Sequence, residues 1–71
     1  MDFVINDLEL EKSFTFKIHP DLTVKKESYY CVMQNPFNKN YDTKIINGSS
    51  IRTVQNKIRR RYKNLKMKEK R

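Results

Sequence analysis

Asn47-Gly48-Ser49-Ser50-Ile51-Arg52-Thr53-Val54-Gln55-Asn56-Lys57-Ile58-Arg59-Arg60-Arg61-Tyr62-Lys63-Asn64-Leu65 admits two readings, and they lead to different folds. Asn-Gly is the strongest short hairpin signal, so Ser49 to Val54 would be a returning strand. Alternatively, Gly48 ends a strand and Ser49 or Ser50 caps a helix by accepting a hydrogen bond from its first turn. The residues downstream favour the helix. Ile51, Val54, Ile58, Tyr62 and Leu65 recur at spacings of three and four, within an arc of about 80° at ~100° per residue. A strand would instead put Ile51 on one face with Arg59 and Arg61, which makes no core.

The spacing therefore predicts a helix from about Ser50 to Lys68, roughly 28 Å long at ~1.5 Å per residue. On the same wheel Arg52, Arg59, Lys63, Lys66 and Lys70 form a ridge beside the apolar stripe. Lys57, Arg61 and Lys68 flank its other side, and Arg60 lies outermost with Asn56 and Asn64. Strands of ordinary length reach only about 17–20 Å, so the helix should overhang its sheet at the C-terminal end.

Upstream of Gly48 the chain reads as mainly β. Leu8, Leu10, Phe14, Phe16 and Ile18 share even positions, which predicts a half-buried strand, best defined from about Glu11 to Ile18. Residues 3–10 read as an earlier strand, with Asn6-Asp7 as its turn. His19-Pro20-Asp21 breaks the pattern. Leu22 and Val24 suggest a short strand, Tyr29 to Met33 another and Thr43 to Ile46 a fourth. Residues 34–42 are rich in turn formers and read as a loop.

The expected fold is α+β, a small, mainly antiparallel sheet of three or four strands followed by one long basic C-terminal amphipathic helix. Residues 1–71 make one domain, with 1–46 mainly β, the helix over 49–68 and a frayed basic tail at 69–71. The seam is expected to set Ile51, Val54, Ile58, Tyr62 and Leu65 against Phe14, Phe16, Ile18, Val24 and Val32.

The chain of 71 residues carries a formal charge of +8, very unevenly placed. Residues 1–50 hold six Lys against seven carboxylates, a net −1, whereas residues 51–71 hold ten Lys or Arg against Glu69 alone, a net +9. Asymmetry of this kind points to a polyanionic partner. A helix that is merely solvated usually interleaves acids with its bases at i,i+4.

Other chemistry finds little support. Cys31 is the only cysteine and lies in an apolar run, so it reads as a small buried side chain. His19, the only histidine, stands at a turn. Neither belongs to a recognisable ligand spacing, and no Gly-rich phosphate loop is present, so no metal or cofactor is expected. No run approaches the ~20 apolar residues that cross a bilayer. Asp2, Asp7 and Glu9 stand where a signal peptide carries bases, and a cytoplasmic, intracellular protein is expected.

The expected function is non-enzymatic nucleic-acid binding, with DNA favoured, in an accessory or regulatory protein that modulates a larger DNA-acting protein. Arg52, Asn56, Arg59, Arg60, Lys63, Lys66 and Lys70 would carry it. The alternative is a protein-binding modulator or inhibitor of phage or mobile-element type, acting on an acidic partner surface. Its helix and 34–42 loop, through Phe37, Lys39 and Tyr41, would occupy a partner's groove. A third reading, a small toxin-like ribonuclease, would use Tyr62 beside Arg59 and Arg61. The wheel, however, places Tyr62 on the apolar face.

Overall fold

The computed structural model describes residues 1–23, 25–38 and 43–69. Among the described residues five strands precede one helix: β1 (Asp2–Asp7), β2 (Lys12–Lys17), β3 (His19–Pro20), β4 (Tyr29–Met33), β5 (Lys44–Gly48) and α1 (Ile51–Glu69). The architecture is α+β, with the strands split between two antiparallel sheets, β1-β2 and β3-β4-β5. Ile18 links β2 to β3, so one stretch of chain serves both sheets.

β1 and β2 pair in register from Asp2 opposite Lys17 to Asp7 opposite Lys12. Met1 and Ile18 extend this ladder. The Ile18 amide donates to the Met1 carbonyl at 2.8 Å, and the N-terminal ammonium donates to the Ile18 carbonyl at 2.9 Å. The turn between these strands lies at Leu8–Glu11, not at Asn6-Asp7 as the sequence suggested. Asp7 Oδ1 accepts from the Leu10 amide at 3.0 Å, and Glu11 takes the left-handed conformation at φ 54°. Leu8 and Leu10, which share even positions with Phe14, Phe16 and Ile18, are therefore turn residues and exposed.

The strand expected around Leu22 does not form. Leu22 and Thr23 occupy a turn in which Asp21 Oδ1 accepts from both the amide and the hydroxyl of Thr23. The short strand lies earlier, at His19–Pro20, paired with Tyr29 and Tyr30 of β4. Val24, expected in the seam, lies outside the described residues.

α1 begins as its sequence predicts. Ser50 Oγ accepts from the Thr53 amide at 3.1 Å, and the Ser50 carbonyl accepts from the Val54 amide at 3.2 Å. The first satisfies one of the donors that a helix start leaves without intrahelical partners, and the second is the first bond of the helix itself. Gly48 is the last residue of β5 and does not form a hairpin turn. A Cβ there would lie 2.8 Å from Thr53 Cγ2, so the close approach of strand and helix requires glycine.

Val54, Ile58, Tyr62 and Leu65 are buried, and Ile51 is half-buried. They meet Phe3, Phe16, Ile18, Cys31, Met33 and Ile46. The expected seam needs one correction in β4, where Val32 is 52% exposed while Met33 is fully buried. The whole run Tyr29–Met33 is apolar, so its inward parity cannot be read from alternation. Cross-strand pairing with β5 sets it, placing Val32 opposite exposed Ile45 and Cys31 opposite buried Ile46.

Candidate nucleic-acid interface

The helix is fixed to β1 by a buried carboxylate. Asp7 accepts the Tyr62 hydroxyl at 2.5 Å and the Lys66 ammonium at 2.7 Å through Oδ2. Its other oxygen is the acceptor of the Leu10 turn. A charged group so enclosed persists only when its lone pairs are filled, and here three donors fill them. The Lys66 and Tyr62 hydrogen bonds hold the Asp7 carboxyl well below the usual carboxylate range. Burial and the Asp7 carboxylate push the Tyr62 hydroxyl well above its ordinary value, and Asp7 raises Lys66.

This arrangement corrects the place of Lys66 in the expected basic ridge. Its ammonium faces Asp7 at 2.7 Å and Glu9 at 3.7 Å, so the protein itself compensates that charge. Tyr62, the group that a ribonuclease would use, is buried with its proton committed to Asp7.

The other bases of the ridge are differently placed. Arg52, Asn56, Arg59, Arg60 and Lys63 are all exposed. Among the described residues, no carboxylate forms an ion pair with Arg52, Arg59, Arg60 or Lys63. The Arg59 guanidinium lies 5.1 Å from the centre of the Phe3 ring, within cation–π range. It also donates a long hydrogen bond to Asn56 Oδ1 at 3.5 Å. Phe3 thus supports the Arg59 guanidinium through its ring face, a contact that uses none of the guanidinium N–H donors. Lys70 lies outside the described residues.

α1 lies against β4 and β5 and stands off from β1. The gap is a groove of about 900 Å³ with β1 as one wall and Asn56, Arg59, Arg60 and Lys63 on the other. On the opposite flank a smaller hollow of about 350 Å³ separates β5 from Lys57, Arg60, Arg61 and Asn64. Arg60 borders both hollows. On that second flank the Lys57 ammonium donates to the Asn47 carbonyl at 2.7 Å, fastening the helix to β5.

The residues expected to anchor a protein partner are placed otherwise. Phe37 is half-buried, edge-on to Phe14 with ring centres 5.9 Å apart and 5.4 Å from Tyr62. Asn35 Oδ1 accepts from the Phe37 and Asn38 amides, so the turn holds Phe37 inward. Phe37 therefore pins its loop to the helix and is not an exposed anchor. Lys39 and Tyr41 lie outside the described residues.

Cys31 is buried, and burial pushes its thiol pKa upward, the reverse of what a nucleophile needs. The His19 ring packs against Tyr30 with centres 5.4 Å apart. Among the described residues no three His, Cys, Asp or Glu side chains converge to hold a metal ion, and no helix is long and apolar enough to cross a membrane.

Two features of the site escape a linear reading, the Phe3 platform under Arg59 and the Asp7 partner of Lys66. Each joins β1 to the far end of the chain, and no local pattern signals such a contact. The chain matches no family model, and no curated protein or solved structure matches it.

Proposed function

We propose that the protein binds nucleic acid without catalysis, DNA being the favoured form, as an accessory factor to a larger DNA-acting protein. Docking would run through Arg52, Arg59, Arg60 and Lys63, with Asn56 between them. The observation that carries this reading is the contrast within one helix. Lys66 is neutralised internally, whereas these four bases are exposed on adjoining faces without a carboxylate partner among the described residues.

Arg52 to Lys63 spans about 16 Å of helix at ~1.5 Å per residue. Duplex DNA carries one charge per ~1.7 Å of axis, so several phosphates lie within that reach. Four phosphate contacts give a log–log salt slope of about −3.6, the signature of counterion release. Arginine forks and the Asn56 amide also suit base edges in a major groove.

The test is a gel-shift series with duplex DNA, single-stranded DNA and RNA across a salt range. The reading requires duplex retention at roughly 0.15 M salt. It also requires that the combined variant R52E/R59E/R60E/K63E abolish retention with its circular dichroism unchanged. Retention that survives this fourfold reversal, or a protein that ignores all three nucleic acids, would refute it.

A further inference from the structure

Two of the outer strands, β5 and β1, are treated differently. At β5, the Lys57 ammonium occupies the Asn47 carbonyl. Among the described residues β1 has a strand neighbour on one side only, and its other side opens into the groove beneath Arg59 and Lys63. The reciprocal bonds of Met1 and Ile18 set the alternation along the ladder. Phe3, Ile5 and Asp7 are then the residues that bond to β2. The main-chain groups of Asp2, Val4 and Asn6 point away from β2 toward the open edge. The polar side chains beside them are engaged elsewhere: Asp7 Oδ1 accepts from the Leu10 amide, and the Ser13 hydroxyl donates to Asn6 Oδ1.

We propose that this edge accepts an extended, acidic segment of a partner protein as an added strand. An exposed edge is a template for pairing, and main-chain hydrogen bonds of that kind supply affinity without regard to sequence. Selectivity comes from the walls. Side chains of an added strand alternate between two faces. Those facing α1 meet Arg59, Arg60 and Lys63, and acidic residues suit them. Those facing away lie beside Val4, which is 47% exposed, and apolar residues suit it.

Two carboxylates also line the groove, Asp7 and Glu9, and Lys66 stands within 4 Å of both. The field offered to a partner is therefore positive. A second copy of this chain fits the edge poorly, because it would bring its own Arg59, Arg60 and Lys63 against the same bases. β1 extends about 20 Å at ~3.3 Å per residue, so a segment of about six residues fills the edge.

This inference is independent of nucleic-acid binding, although Arg59, Arg60 and Lys63 belong to both surfaces. The main-chain edge separates them, and the experiment uses it. The probe is a blocked heptapeptide of alternating Glu and Val, titrated into the full chain and followed by fluorescence anisotropy and amide hydrogen exchange. The Val4 and Asn6 amides should gain at least tenfold protection, while those of Phe3 and Ile5, already bonded to β2, change little. Val4→Pro, which removes one outward donor, should weaken peptide binding at least tenfold and change duplex DNA retention less than twofold. A peptide of alternating Lys and Val should not bind.

The exchange pattern on the unsubstituted chain keeps the test decisive if Val4→Pro misfolds. Equal binding of the Glu and Lys peptides would overturn the proposal, as would unchanged Val4 and Asn6 protection on saturation. The same protection appearing without peptide as the chain dimerises would assign the edge to a second copy. The same protection produced by a DNA duplex would assign it to nucleic acid.

Discussion

The Tyr62 hydroxyl donates to Asp7 Oδ2 at 2.5 Å across 55 positions of sequence, and this bond joins the first strand to the helix that carries the basic face. Lys66 completes the arrangement one helical turn further on. The pair orients the helix as well as stabilising it. It turns Lys66 inward and leaves Lys63, three residues earlier, facing out.

The pH dependence of stability follows from the same group. The Asp7 carboxyl lies well below its ordinary 3.8, because Lys66 and then Tyr62 stabilise its charge. A lowered carboxylate stabilises the fold fully above the unfolded value, and that contribution erodes as pH falls toward the folded value. Tyr62 and Lys66 are raised above their ordinary 10.0 and 10.5, so their contributions are complete below those values and fade as pH climbs through them. The urea midpoint should therefore be flat between about pH 5 and 9 and fall on both sides. Asp7→Asn should lower the midpoint at neutral pH and flatten the acid limb. A deficit of equal size at about pH 3 and pH 7 would show that Asp7 is not the group responsible.

Lys63 and Lys66 should behave unequally in binding. Neutralising an exposed base removes one phosphate contact and about 0.9 from the salt slope, which is the expectation for Lys63→Gln. Lys66→Gln removes a cation that Asp7 already compensates, so duplex affinity should change less than it does with Lys63→Gln. Stability should move in the opposite order, because Lys66→Gln leaves the buried Asp7 short of a partner. The two variants, each measured by gel shift and by urea titration, give a crossed pattern if the surface is correctly drawn. Equal salt slopes would remove Lys63 from it.

The helix and its basic flanks were legible because their signals are local. Ile51, Val54, Ile58, Tyr62 and Leu65 keep helical spacing, Ser50 supplies the cap, and Gly48 marks the strand end. The β1–β2 turn was not legible, since Leu8 and Leu10 share the even parity of Phe14, Phe16 and Ile18, with Lys12 the single break between them. The residue that turns left-handed there is Glu11, where glycine or asparagine would have given the signal. Cation positions were legible from the wheel, but their occupancy was not, because Asp7 and Phe3 reach the helix only after folding.

The inward parity of β4 has a direct consequence for substitutions. Met33 is fully buried and Val32 is 52% exposed, though both are apolar and adjacent. Met33→Ala should cost about 2–5 kcal/mol, the range for opening a cavity in a packed core. Val32→Thr should stay within about 0.5 kcal/mol, as exposed substitutions do. Ile58→Ala, at the centre of the helix seam, belongs with Met33 at about 2–5 kcal/mol. Chemical denaturation of the three variants checks the ordering, and a Val32 cost equal to that of Met33 would mean that β4 faces the other way.

Gly48 sets how closely α1 can follow β5, and a pair of substitutions isolates the cause. A Cβ at position 48 would lie 2.8 Å from Thr53 Cγ2 and 3.1 Å from Thr53 Cβ. The φ of Gly48 is not in the left-handed region, so an alanine there suffers crowding and no backbone strain. Thr53 cannot swing freely away, because its hydroxyl lies 2.9 Å from Ser50 Oγ in the cap. Gly48→Ala should therefore destabilise the protein by about 1–3 kcal/mol, the usual cost of overpacking. Thr53→Ser removes Cγ2 and keeps the hydroxyl, so the double variant should recover much of that loss, although the 3.1 Å approach to Cβ persists. A double-variant cycle with no coupling would place the requirement for glycine elsewhere than in the contact with Thr53.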